Sequence, residues 1–282
     1  MRFCRVGAAG RERPCVVNHE GQAFDLSPLT ADIDGAFFAA GGIERVRAAL
    51  ADDRLPGAAP RERIGAPVAR PGKVVCIGLN YSDHALETGA PIPPEPVVFM
   101  KASNTVVGPN DEVLVPRGSV KTDYEVELAV VIGRTARYLG SPADAGDVIA
   151  GYTISNDVSE REFQNERGGQ WDKGKSCETF NPLGPWLVTP DEVGDPQSLD
   201  LRLWVNGQLR QNGSTKDQIF GVHHVIWYLS QFIVLEPGDV VNTGTPAGVA
   251  MGRGAQAYLR AGDVVEVEIE GLGRQRQWVG QA

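Results

Sequence analysis

Two carboxylates two residues apart, Glu125 and Glu127, stand at the head of an apolar run, Leu128-Ala129-Val130-Val131-Ile132. β-Branched and apolar residues without Gly or Pro read as a strand, whose side chains alternate with period two. Asp123, Glu125 and Glu127 then share one face, and Tyr124, Val126, Leu128 and Val130 the other. Ala129 and Val131 continue the acidic face as apolar positions, so it is not polar along its length. Like charges this close repel and raise one another's pKa. Such a face is either solvated or neutralised by a cation. A further carboxylate, Asp157, follows a second strand-like run, Gly151-Tyr152-Thr153-Ile154-Ser155-Asn156. If the two runs are neighbours, Asp157 meets Glu125 and Glu127. Three oxygen donors with no Cys or His among them suit a hard cation, Mg²⁺, Mn²⁺ or Ca²⁺, rather than zinc. Such a centre keeps open positions for a chelating substrate.

Other residues have chemistry to offer around that centre. His84 and Glu87 are three apart in a short stretch that Ser82 or Asp83 can cap as a helix, which puts them on one face. The pair is either a general base oriented by a carboxylate or a surface ion pair. The Pro-rich stretch from Gly89 to Pro96 cannot be regular structure, and a helix flanked by it could act as a lid. Arg161 and Gln164 are also three apart, just beyond Asp157; they read as a clamp for a substrate carboxylate or as part of a solvated helix. Lys173 and Lys175, in an irregular loop rich in specific side chains, are candidates for an anionic or oxyanionic group or form a solvated basic turn. The Gly-rich loop Asn242-Thr243-Gly244-Thr245-Pro246 lacks the Lys and spacing of a phosphate loop, yet its amides and Thr245 could hold an oxyanion. His19 reads as a surface residue, and His223 and His224 as packing or helix-surface residues.

The elements that must position these groups are mostly strands. Gly and Pro number 34 and 19, dispersed rather than clustered, which suggests many turns between short strands. Phe3 to Val6, Cys15 to Asn18 and Gln22 to Leu26 are expected as strands, followed by a helix from Ile33 to Ala51 with Ile43, Val46 and Leu50 on one stripe. A Pro- and Gly-rich wrapping segment runs from Leu55 to Gly72. The division this predicts is a small N-terminal α/β domain and linker at 1–70 and a catalytic domain at 71–282. Lys73 to Leu79 and Val97 to Lys101 are strand-like, and Arg134 to Ala150 includes a short helix after Ser141-Pro142. Asn206-Gly207 marks a hairpin, and Thr215 to Phe232 is the strongest helix, with Ile219, Val222, Ile226 and Leu229 on one stripe.

Composition narrows the function classes. The chain has 282 residues, room for one large domain or one with an appendage. A net charge of −9 argues against a nucleic-acid binder. The longest apolar run, Val222 to Leu235, is broken by His223, His224, Ser230 and Gln231 and is too polar to cross a bilayer. Cys4, Cys15, Cys76 and Cys177 form no C-x-x-C pair and read as reduced thiols in a cytoplasmic protein. The N-terminus lacks an apolar stretch of signal-peptide length.

Taken in order, the motifs resemble those of the fumarylacetoacetate hydrolase family over residues 70 to 280. The resemblance rests on Asn80-Tyr81 with His84 and Glu87, on Glu125-Val126-Glu127-Leu128-Ala129, and on Asn156-Asp157-Val158-Ser159 with Arg161 and Gln164. It also rests on Gly174-Lys175 with Pro182-Leu183-Gly184-Pro185, and on Glu236-Pro237-Gly238-Asp239 with Thr243-Gly244-Thr245-Pro246. It implies an α+β, mainly β fold: a mixed β-sheet roll with a small N-terminal domain, usually as a homodimer. It implies Mg²⁺ or Mn²⁺ on Glu125, Glu127 and Asp157, a lid dyad of His84 and Glu87, substrate contacts from Arg161 and Gln164, a pocket lysine at Lys175 and a loop threonine at Thr245. The chemistry implied is hydrolysis of a carbon–carbon bond in a 1,3-diketo acid, an acylpyruvate or a 2,4-diketo-3-deoxy sugar acid, giving pyruvate or a related 2-oxo acid and a carboxylic acid. Decarboxylation of oxaloacetate-like acids and isomerisation of a hydroxy-dienedioate are alternatives on the same metal. A metal-stabilised scaffold without turnover is a third, against which the polar lid argues. One departure stands out: Glu178 occupies a position where relatives often carry Asp.

Overall fold

The computed structural model describes residues 1–58 and 62–282. Residues 59–61 of the expected wrapping segment lie outside them. The centre of the fold is the strand Val126–Ile132, every residue of which is buried. On one side it pairs antiparallel with Ile149–Asn156 in a register that sets Val126 opposite Asn156 and Glu127 opposite Ser155. On the other it pairs antiparallel with Val240–Asn242. Val240–Asn242 runs parallel to Val74–Gly78, which carries the edge strand Val97–Lys101 antiparallel to it. Beyond Ile149–Asn156 the sheet continues through Leu187–Val188 to Arg2–Val6, Arg13–Val17 and Ala23–Asp25. The N-terminal strands are therefore an extension of the main sheet.

The alternation expected along the central strand is realised. Val126, Leu128, Val130 and Ile132 enter one core with Leu201, Leu203, Val265 and Val267, so the second, five-stranded sheet packs on that face. Ala129 and Val131 enter the other core with Phe3, Phe37, Val46 and Val240. Glu127 lies on this second side, at the end where the apolar packing gives way. Two mixed sheets with few helices make the mainly β, α+β fold expected.

Two helices differ from expectation. The segment from Ile33 to Ala51 is broken into Gly35–Ala39 and Gly42–Ala51. Gly41 between them takes φ +64°, a left-handed conformation that ends a helix, and the Asp34 carboxylate caps the first piece by accepting from the Phe37 amide. The helix expected from Thr215 begins only at Val222 and ends at Ser230. The apolar spacing continues upstream, but the backbone does not. Thr215 donates its amide to the Leu199 carbonyl and Ile219 to that of Asn80, and the Phe220 amide goes to Asn80 Oδ1. That stretch is spent on fixing the loop that precedes the His84 helix. Among the described residues, no helix is long and apolar enough to cross a membrane.

Candidate active site

The pairing of Val126–Ile132 with Ile149–Asn156 brings Glu125 and Glu127, from the start of one strand, to Asp157, from the end of the other. One oxygen from each of the three carboxylates lies within 4.8 Å of the others. Glu125 is 4 % exposed, Glu127 2 % and Asp157 0 %, which excludes a solvated acidic face. Buried carboxylates need partners, and three cations meet them. Arg161 Nη2 donates to Glu125 Oε1 at 2.6 Å. Lys175 Nζ bridges Glu125 Oε2 at 2.7 Å and Asp157 Oδ2 at 3.0 Å. Lys101, the last residue of the edge strand, donates to Asp157 Oδ1 and, at 2.9 Å, to the Val158 carbonyl.

Glu127 is treated differently. Its carboxylate has one hydrogen bond among the described residues, from the Gly244 amide, 2.7 Å to Oε2. Burial first, then the charges of Asp157 and Glu125, push its pKa well above the usual carboxylate range. Burial pushes Glu125 up as well, but Lys175 and Arg161 outweigh it and bring it down to about 2. With Asp123, which is fully buried, four carboxylates face the three cations Lys101, Arg161 and Lys175, and Glu127 is the one left without a cation. An all-oxygen donor set with one uncompensated carboxylate fits a hard divalent cation. The residues that would hold it are Glu125, Glu127 and Asp157.

Arg161 ties the site's own side chains together. Nε donates to Asp123 Oδ2 at 2.8 Å, Nη1 to Gln164 Oε1 at 3.0 Å and Nη2 to Glu125. Asp123 in turn accepts from the amides of Ala250 and Met251, at 2.7 and 3.0 Å. The helix Arg161–Asn165 and the turn Asp172–Lys175 approach so closely that a Cβ on Gly174 would stand 2.3 Å from the Glu160 carbonyl oxygen and 2.5 Å from the Gln164 nitrogen. Only glycine lets Lys175 reach the carboxylates from there.

The helix Ser82–Thr88 covers the site. His84 Nδ1 is 3.4 Å from Glu87 Oε2. The Glu87 carboxylate also accepts from the Gly248 amide, at 3.0 and 3.1 Å to its two oxygens, and Asp83 Oδ2 accepts from the neighbouring Ala247 amide at 3.2 Å. Two carboxylates one helical turn apart thus dock the helix onto the loop that bears Thr245. Burial raises the Glu87 pKa, but hydrogen bonds from His84 and Gly248 outweigh it and leave it below the ordinary range. Thr245 Oγ1 donates to the Val126 carbonyl at 2.9 Å and accepts from Gln211 Nε2 at 2.8 Å, so its proton is committed to shaping the loop.

Eight of the nine expected residues, His84, Glu125, Glu127, Arg161, Gln164, Lys175 and Thr245 on its wall and Asp157 bonded to Lys175, gather at one cavity of about 210 Å³. Glu87 stands behind His84. Phe99 and Trp171 form another wall, ring centroids 5.3 Å apart and edge to face, with Lys175 Nζ 4.8 Å from the Phe99 centroid. Lys173 is exposed and donates to the Arg167 carbonyl. Glu178 is exposed and lines a different hollow beside Arg117, so the departure at that position does not touch this cavity. Lys101 and Asp123 are the site residues that sequence reasoning did not assign a role. A lysine ending the run Val97-Val98-Phe99-Met100 reads as the point where a strand leaves the core; here it turns inward.

Comparison with known proteins agrees with this geometry. Residues 73–280 match the family model described as fumarylacetoacetate (FAA) hydrolase, C-terminal. A 2,4-didehydro-3-deoxy-L-rhamnonate hydrolase from Sphingomonas sp. (strain SKA58) is 51 % identical over 284 residues, covering 100 % of this chain and 96 % of that protein. Among solved structures, a fumarylacetoacetate hydrolase from psychrophilic Exiguobacterium antarcticum superposes with TM-score 0.85 at 36 % identity over the whole of both chains. A maleylpyruvate hydrolase from Sphingobium sp. SYK-6, in complex with manganese(II) and pyruvate, superposes with TM-score 0.81 at 29 % identity, again over both chains entire.

Proposed function

The chain belongs to the fumarylacetoacetate hydrolase family and is a hydrolase of carbon–carbon bonds in ketonic compounds, and from that premise we propose that its substrate is a 1,3-diketo acid cleaved with the help of Mg²⁺ or Mn²⁺. The observation that carries this reading is the buried triad of Glu125, Glu127 and Asp157, with Glu127 lacking a cation and both glutamates on the wall of one cavity with His84. A divalent ion bound there supplies Lewis-acid polarisation of a 2-oxo group and offsets the carboxylate charge.

The chain's own residues supply the rest. Glu87, fixed by the Gly248 amide, holds His84 through Nδ1, which leaves Nε2 as the nitrogen that takes a proton from water. The resulting hydroxide adds to the C4 carbonyl of the substrate. The Lys175 ammonium, already carried among the carboxylates, donates to the oxyanion that forms. The bond between C3 and C4 then breaks. The water oxygen leaves in the new carboxylic acid, the bonding electrons pass to the 2-oxo acid fragment as its enolate, and the proton that His84 took from water is returned at C3 to give pyruvate or its analogue. Arg161 holds Glu125 in place throughout, and Gln164 offers its amide to the bound acid. Sealing by the Ser82–Thr88 helix keeps bulk water from the enolate.

We propose further that the enzyme works in the cytoplasm, supported by four cysteines that are all free thiols, and as a homodimer, as the family resemblance implies. The test is an ultraviolet assay following loss of enol absorbance from acetylpyruvate, longer acylpyruvates and 2,4-diketo-3-deoxy sugar acids. EDTA-treated protein should be inactive, and Mg²⁺ or Mn²⁺ should restore turnover to pyruvate. Equal turnover with and without EDTA would remove the metal from the mechanism.

A further inference from the structure

Asp123 is fully buried, and four donors converge on its carboxylate. Oδ1 accepts from the amide of Tyr124 at 2.8 Å and from that of Ala250 at 2.7 Å. Oδ2 accepts from the Met251 amide at 3.0 Å and from Arg161 Nε at 2.8 Å. The same guanidinium reaches Glu125 through Nη2. One carboxylate therefore fixes the partner of an ion ligand and the turn Ala250–Gly252 at the same time.

That turn leads to the base. The chain just before it is held to the residues that follow Asp123: Tyr124 Oη donates to the Gly248 carbonyl at 3.3 Å, and Thr245 Oγ1 to the Val126 carbonyl. Directly after Met251 comes Gly252, where a Cβ would stand 2.8 Å from Glu87 Cγ and Cδ. Glu87 thus takes a hydrogen bond from the Gly248 amide and rests against the Gly252 backbone, and from there it holds His84. The base is carried by residues 82–88 and the ion's ligands by 125–127 and 157. Hydrolysis needs the two in register on one water and one substrate, and a misplacement of about 1 Å costs on the order of a hundredfold.

We propose that Asp123 is the positioning residue that keeps them in register: through Arg161 it sets Glu125, and through the turn Ala250–Gly252 it sets Glu87 and His84. This rests on the metal-assisted hydrolase reading above. Asparagine cannot do the same. It has one oxygen to accept with, and its amide NH₂ would face two of the four donors whichever way it turned. It also removes a negative charge beside Arg161, which leaves the guanidinium less offset near the ion.

Two variants separate the two ties. Mn²⁺ binding is read from the electron paramagnetic resonance signal of the free ion, docking of the Ser82–Thr88 helix from hydrogen exchange, and chemistry from kcat and KM for acetylpyruvate at saturating Mn²⁺. Asp123→Asn should weaken Mn²⁺ binding at least tenfold, accelerate exchange across residues 82–88 at least tenfold and lower kcat about a hundredfold. Gly252→Ala displaces Glu87 and leaves Asp123 and the ion's carboxylates in place. It should lower kcat at least tenfold, with KM within threefold and Mn²⁺ affinity within twofold. An Asp123→Asn protein that melts lower but keeps Mn²⁺ affinity, exchange and kcat within threefold would make Asp123 a tether of the fold alone and overturn the proposal. Gly252→Ala with unaltered kcat would cut the link to Glu87 and overturn it too, and that variant carries the test if Asp123→Asn does not fold. Should the unaltered enzyme cleave no dioxo acid, the hydrolase reading falls, while Mn²⁺ affinity and exchange at 82–88 still decide the positioning role.

Discussion

Glu125 and Glu127 are two residues apart on one chain and have opposite electrostatic surroundings. Glu125 is bracketed by Arg161 and Lys175, while Glu127 has a backbone amide. An acid whose native pKa is raised binds more protons folded than unfolded. Stability of the metal-free protein should therefore fall as pH rises from about 4.3, the unfolded carboxylate value, toward the raised native one. Glu127→Gln removes that charge. At pH 7 it should raise the melting temperature of EDTA-treated protein by about 2–6 °C, for a gain of ~1–2 kcal/mol. It should also abolish the stabilisation by Mg²⁺ expected of the unaltered protein, about 2.7 kcal/mol at a hundred times Kd. Differential scanning calorimetry reads both; a variant that melts lower without metal would contradict the assignment. His84→Ala should lower kcat for hydrolysis about 10²–10⁴-fold with pyruvate binding retained, and should spare any decarboxylation or isomerisation, which needs no activated water. The acidic triad was legible in sequence because carboxylates on a strand that otherwise reads as core are in conflict with their surroundings. Lys101 was not, because one lysine at a strand end is ordinary, and only its proximity to Asp157 gives it a role.

At the scale of elements, the helix Ser82–Thr88 is fastened by Asp83 and Glu87 to the amides of Ala247 and Gly248. Asp83→Asn weakens a hydrogen bond to a charged acceptor, worth ~1.5 kcal/mol, and should lower kcat/KM about tenfold with the His84–Glu87 pair left in place. The Glu87 pKa is depressed in the native state, so its share of the docking is fully present above about 4.3 and is lost as pH falls through the lower native value. Hydrogen exchange across residues 82–88 should accelerate in that acid window before global unfolding; simultaneous loss of protection everywhere would argue against the latch. The two misread helices share one physical origin. Apolar spacing persists through Ile33–Ala51 and Thr215–Phe232, but Gly41 reverses φ in the first and the backbone of 215–220 is hydrogen-bonded elsewhere in the second. Side-chain periodicity does not report where amides go. Gly174 adds a third case: a glycine in a loop carries no visible reason for being there until the 161–165 helix is seen against it.

Over the whole molecule, the main sheet runs unbroken from Ala23–Asp25 to Val97–Lys101. The N-terminal strands contribute Phe3, Val16 and Leu26 to the second core, three large side chains worth about 5–9 kcal/mol together at ~1.5–3 kcal/mol each, within reach of a typical total stability of about 5–15 kcal/mol. The protein should accordingly melt in a single calorimetric transition, and deletion of residues 1–26 should leave a chain without native circular dichroism. Two resolved transitions would instead favour independent units. Sequence composition pointed to many short strands but could not show this continuity, because the joint is two residues long. Arg2 and Phe3 pair with Val188 and Leu187, and Leu187–Val188 lies on the same stretch of chain as Lys175. One end of that stretch is thus pinned to the N-terminal hairpin and the other carries the ammonium group that sits between two carboxylates. Slack introduced at the hairpin has somewhere to go. A substitution at Phe3 or Val16, remote from every reacting atom, is expected to be felt first as a looser hold of Lys175 on the carboxylates, read as a lower kcat/KM, and only afterwards as a lower melting point.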